Sequence, residues 1–72
     1  MTEQEFLTKM KDDVLLTEAD ITMDMQLENL VEWDSLGLVG FQAMAKLATG
    51  KKMERERALS AKTIGDLYAL LK

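Results

Sequence analysis

With 72 residues, 47% of them hydrophobic, no Pro and four Gly, the chain is expected to form a single helical domain, 1–72, near the lower size limit for a self-sufficient core. The absence of His and Cys excludes a disulfide, a Cys/His metal staple and any Ser-His or Cys-His nucleophilic machinery. A net charge of −4 disfavours nucleic acid, and no apolar run approaches the ~20 residues that span a bilayer. A soluble cytoplasmic monomer is the expectation. The start Met1-Thr2-Glu3-Gln4-Glu5 lacks the basic and apolar regions of a signal peptide.

The first predicted element is a helix over about 2–16. Thr2 and Glu5 form a capping box, and Phe6, Met10 and Val14 recur at helical spacing with Leu7 and Leu15 beside them. From Thr17 to Trp33 the pattern changes. Ile21, Met23, Met25 and Leu27 alternate with Thr22, Asp24, Gln26 and Glu28, the period of a half-buried strand. No second strand stands out as a partner, so the expectation is a long connection pinned to the core chiefly by Leu27 and Leu30. A connection of this length in so small a domain is commonly functional. Its acids Asp20, Asp24 and Glu28 lack the glycine and spacing of a calcium loop, so no metal is expected.

The second helix is predicted over 35–49, with Asp34 as its N-cap and Gly50 at its C-terminus. It is apolar on two sides. Leu36, Val39, Ala43 and Leu47 form one stripe, and Leu38, Phe41, Ala45 and Ala48 form another roughly opposite. So short a chain cannot surround such a helix, so one stripe should face the core and the other a partner. Periodicity does not say which. A short helix follows over about 54–60, with Met53 and Ala58 turned inward. A last helix over 63–71 is capped by Thr63 with Asp66 three residues on, and Ile64, Leu67, Tyr68 and Leu71 give its spacing. The architecture expected is all-α: a small four-helix bundle with a long loop between its first two helices.

Charge is split along the chain. Residues 1–35 hold ten acids against Lys9 and Lys11, a net −8, while residues 36–72 hold three acids against seven bases, a net +4. A solvated dipolar domain and a charged partner surface both fit this split. The basic cluster Lys51 to Arg57 is interrupted by Glu54 and Glu56.

Ser35 stands where the acid-rich connection gives way to the apolar helix. A serine there, with no catalytic partner, suits covalent attachment: backbone N–H groups and the helix dipole stabilise a phosphate at a helix start. Leu30-Val31-Glu32-Trp33-Asp34-Ser35-Leu36 resembles the modification motif of acyl carrier proteins and peptidyl carrier domains, an Asp-Ser-Leu opening the second helix. The likeness covers essentially the whole chain. The motif lies mid-chain behind a capped helix and a long loop, and Ala58 to Ile64 leads into an Asp66-Leu67-Tyr68 helix at the family's spacing.

The resemblance implies that a phosphopantetheinyl transferase, using coenzyme A and Mg²⁺, joins 4'-phosphopantetheine to Ser35, with Asp34 and Leu36 completing the motif. The thiol of that arm would carry an acyl group as a thioester between loading, condensing or transferring enzymes of a fatty-acid, polyketide or related pathway. It implies a carrier without catalytic residues of its own. It also implies that Leu36, Val39 and Ala43, with Trp33 and Lys46, meet partner enzymes. Leu38, Phe41, Ala45 and Met53 would border the acyl chain, with Met44 a pliable filler. Trp33 is open to two readings, a partner contact or an aromatic packing the loop on the helix. Unlike typical fatty-acid carriers, the second helix has no acid, and Gly37, Gly40 and Lys46 stand at positions usually acidic. With Trp33 before the motif, the chain is similar to specialised stand-alone carriers of dedicated pathways. The alternative is a non-covalent helical adaptor using the apolar face of helix two.

Overall fold

The computed structural model describes residues 1–71. Among them are four α-helices and no strand: α1 (Glu3–Lys9), α2 (Ser35–Thr49), α3 (Arg55–Ser60) and α4 (Ile64–Ala69). The fold is mostly helical, around a single core.

α1 opens on the capping box. The Thr2 hydroxyl accepts from the Glu5 amide at 3.1 Å, and the Glu5 carboxylate accepts from the Thr2 amide at 3.0 Å. The helix does not run unbroken to residue 16. From Met10 to Val14 it widens into a π turn, with the Leu15 amide donating to the Met10 carbonyl at 2.7 Å. An α-helix would turn Leu15 well away from Met10. The wider turn brings Met10, Val14 and Leu15 to one side, and all three are buried. The turn ends with Leu16 in the left-handed region, φ 52°, its side chain exposed.

The connection 17–34 is better anchored than its composition suggests. Its alternation is real: Ile21, Met23 and Met25 are half-buried against the core, Leu27 is buried, and Thr22, Asp24, Gln26 and Glu28 are exposed. Its partner is the short approach to α4. The Leu27 amide donates to the Lys62 carbonyl at 2.8 Å, the Ile64 amide to the Met25 carbonyl at 3.1 Å, and the Gly65 amide to the Met23 carbonyl at 2.7 Å. Gln26 and Thr63 thus form an antiparallel bridge too short to be a strand. A single turn of 3₁₀ helix over Leu27–Asn29 follows, and Leu30 packs half-buried on the core.

α2 ends at Gly50, whose φ of 75° makes it the left-handed C-terminal residue, with its amide donating to the Lys46 carbonyl at 2.8 Å. The inward face is Leu38, Phe41, Met44 and Ala45. Ala48, expected on that face, is exposed. The last turn overhangs the core, and Ala48 lines an open groove of about 290 Å³ with Met1, Lys9, Asp13 and Leu47. The Gln42 amide group donates to the Met53 carbonyl at 3.0 Å. This ties the 50–54 turn to α2 and helps bury Met53 and, beyond it, Ala58.

α3 and α4 are slightly shorter than expected, since Glu54 and Thr63 stand as caps. The box at α4 is complete. Thr63 Oγ1 accepts from the Asp66 amide at 3.1 Å, and Asp66 Oδ2 accepts from the Thr63 and Lys62 amides at 3.1 and 3.0 Å. Tyr68 lies 5.0 Å from the Phe6 ring and donates its hydroxyl to the Met1 carbonyl at 2.8 Å, joining α4 to α1.

Backbone donors from Lys62 and Thr63 hold the Asp66 carboxyl below the ordinary carboxylate range. A folded pKa depressed below the unfolded one gives stability that is present above the unfolded value and lost as pH falls through the folded one. Asp66→Asn is therefore expected to be less stable than the parent at neutral pH. The gap should close on acidification below about pH 4, as read by urea unfolding across that range. At the end of the π turn, Leu16→Gly relieves a left-handed residue with an exposed side chain. Thermal unfolding should show a gain of about 0.5–1 kcal/mol.

Candidate functional site

The start of α2 is built from both sides. On the helix side, Asp34 is extended (φ −120°, ψ −163°), and its Oδ1 accepts from the Gly37 amide at 3.0 Å. One orphan donor of the first turn is thereby satisfied, and a carboxylate sits at the positive end of the dipole. No acid lies within the first turn itself. Ser35 is the first helical residue. It is exposed, and its hydroxyl makes no hydrogen bond among the described residues.

On the loop side, the chain closes over Gly37. The Trp33 amide donates to the Leu30 carbonyl at 3.0 Å, turning the chain back on itself. The Trp33 indole meets Phe41 edge-on, with centroids 6.0 Å apart and planes at 73°. A Cβ on Gly37 would lie 2.7 Å from the Glu32 carbonyl oxygen and 3.6 Å from the Trp33 ring. Gly37 is the residue that lets the loop end lie flat on the first turn, and nothing in its helical spacing signals that role. Trp33 packs the loop onto the helix with most of its surface covered, while the remainder stays open to solvent.

The other expected residues divide cleanly by face. Leu36 is 81% exposed and Val39 61%, and Ala43 and Lys46 are exposed beside them. Leu47, on the same side, is 89% exposed. Leu38, Phe41, Ala45 and Met53 are buried. The structure thus resolves the choice that periodicity left open: the Leu36 stripe faces out and the Leu38 stripe faces in. Glu32, Asp34 and Ser35 cluster at one end of the outward face, and Lys46 stands near the other.

At this end of α2 the Ser35 hydroxyl lies open to solvent with no hydrogen-bonded side chain beside it among the described residues. Among the described residues no group of three or more acids converges as a metal site. Neither the Asp34 nor the Glu32 carboxylate has a hydrogen-bonded base or acid partner that would make a proton relay. No helix of the described residues is long and apolar enough to cross a membrane.

Gly37→Ala tests the loop closure. In an open helix interior, the exchange would add about 1 kcal/mol of stability. Here the new methyl displaces the Glu32 carbonyl, so the variant should instead lose stability. The fluorescence of Trp33 should shift with exposure, both followed in one urea titration of the single tryptophan. A stability gain with unchanged emission would show that the loop does not rest on Gly37.

No protein-family model matches the chain, and no curated protein or solved structure matches it either.

Proposed function

We propose that the chain is a carrier domain of the acyl-carrier type, a small four-helix bundle modified on Ser35 with 4'-phosphopantetheine. One observation supports this above the rest. Ser35 is an exposed, unpartnered hydroxyl on the first residue of a fifteen-residue helix, held between a capping Asp34 and a fixed loop end. Asp34 and Gly37 restrain the backbone on either side of Ser35, so an approaching transferase meets the residue at one place on a fixed backbone. The residues fit a phosphodiester: Asp34 is engaged with the Gly37 amide, no further acid stands in the first turn, and the helix dipole favours an anion.

When bound, the group supplies a terminal thiol on a flexible arm, on which an acyl group is held as a thioester. The chain's own part is to bind and present. Ser35 Oγ would be the attachment atom: its bond to the phosphopantetheine phosphorus would form as the pyrophosphate bond of coenzyme A breaks, adenosine 3',5'-bisphosphate would leave, and the serine proton would pass to a base of the transferase. Asp34 and Leu36 flank it as the rest of the motif. Leu36, Val39 and Ala43, with Lys46 and the open side of Trp33, form the face toward acyl-loading, condensing or transferring enzymes. Leu38, Phe41, Ala45 and Met53 line the path a chain would take between α2 and α3. An α2 whose only ionised side chain is Lys46 suits enzymes of a dedicated fatty-acid, polyketide or related pathway. In this reading the protein is a cytoplasmic monomer and not an enzyme.

A second reading rests on the exposure of Leu36, Val39 and Leu47. They would also serve a non-covalent adaptor that receives a partner helix. The intact mass after incubation with coenzyme A, Mg²⁺ and a permissive phosphopantetheinyl transferase separates the two. The carrier reading expects a gain the size of phosphopantetheine, absent in Ser35→Ala. An unchanged mass with several transferases would overturn it and leave the adaptor.

A further inference from the structure

The second half of α2 and the start of α3 make a surface whose polarity is opposite to that of the chain as a whole. A groove of about 330 Å³ is lined by Val39, Gln42, Ala43, Lys46, Lys52 and Met53. Its floor is apolar. Gln42 donates one amide N–H to the Met53 carbonyl, which holds its side chain across the floor. Two lysines, Lys46 and Lys52, stand on its rim. In the surrounding stretch 46–57, Lys51, Arg55 and Arg57 add three bases against Glu54 and Glu56, and all seven side chains are exposed. The one ion pair among the described residues, Lys11 with Asp20 at 3.5 Å, lies elsewhere, and the five basic side chains have no anionic partner.

We propose that this groove is a docking site for a protein segment that presents an apolar ridge flanked by carboxylates. The apolar floor fixes where the ridge sits, and the unpaired lysines select the sign of its flanks. Complementary charge at the rim chiefly sets the approach and the choice of partner. A membrane surface is the poorer occupant. The outward face carries Glu32 and Asp34 at its other end, and the net charge of −4 repels an anionic bilayer from every approach but one. The same net charge makes the site selective, because an acidic ridge is attracted only where the basic rim outweighs the rest. The groove shares Val39, Ala43 and Lys46 with the face assigned above to partner enzymes and deepens that reading, while its test does not depend on modification of Ser35.

The test uses the full chain with two synthetic amphipathic helical peptides that share one leucine ridge, flanked by glutamate in one and lysine in the other. Amide chemical shifts are followed by NMR. The glutamate-flanked peptide should shift Val39, Ala43, Lys46 and Lys52, and weaken with added salt. The double variant Lys46→Glu/Lys52→Glu, both at exposed positions, should bind it roughly tenfold less tightly and gain affinity for the lysine-flanked peptide. Equal binding of both peptides, shifts confined to other surfaces, or no binding would overturn the proposal. So would stronger shifts with phosphatidylglycerol vesicles than with the glutamate-flanked peptide. Each result leaves the mass measurement on Ser35 unaffected.

Discussion

The constraint on which the molecule depends is that α2 is apolar on two sides in a chain too short to enclose it. Hydrophobic burial is proportional to area removed from water, and the other elements can cover only one side. The covered side is built from Phe6, Met10, Val14 and Leu15 of the first helical segment, Leu27 of the connection, Met53 and Ala58, and Ile64 and Leu67 of α4. All of them gather on Leu38, Phe41, Met44 and Ala45. What is left over, Leu36, Val39 and Leu47, is exposed by arithmetic as much as by selection. The exposed apolar face and the core are two results of one shortage of surface.

The same shortage explains the devices around the core. The π turn at Met10–Val14 widens the backbone until Met10, Val14 and Leu15 can all be buried on one side. The connection contributes a buried Leu27 and five half-buried apolar side chains, Ile21, Met23, Met25, Leu30 and Trp33, which a solvated loop would not. Both terminal helices open on reciprocal capping boxes, satisfying donors that short helices can least leave unpaired. Buried polar side chains are absent among the described residues, and none of their buried side-chain polar atoms lacks a partner. The core carries no electrostatic debt.

Much of this was legible in the residues. Thr2 with Glu5, Asp34, Gly50 and Thr63 with Asp66 marked helix boundaries because capping chemistry is local, and the structure places each of them at or next to a helix end. Three features were not legible, and each depends on a non-local partner. The alternation from Ile21 to Leu27 looked like a strand without a mate, because its mate is only the few residues before α4. The π turn leaves no periodic signature distinct from that of an α-helix over five residues. Ala48 has the right phase for the core but sits where the core has ended. At the site, Ser35 and its cap stood out, whereas Gly37 did not: its role lies in the approach of Glu32 and Trp33, which spacing does not encode.

The bridge between Gln26 and Thr63 divides the connection into two mechanically different spans. Upstream, residues 17–22 are tied to the first helical segment, by the Thr17 amide on the Lys11 carbonyl and the Lys11–Asp20 ion pair. Downstream, residues 28–34 form a short strap whose two ends are clamped, one by Lys62 and the other by Asp34 on Gly37. Closure of a short strap leaves little entropy to lose, so Ser35 is held by stiffness and not by contacts of its own. Leu30 on the core and Trp33 on Phe41 hold this strap from beneath, so the packing of the loop and the placement of the first turn of α2 are one and the same constraint.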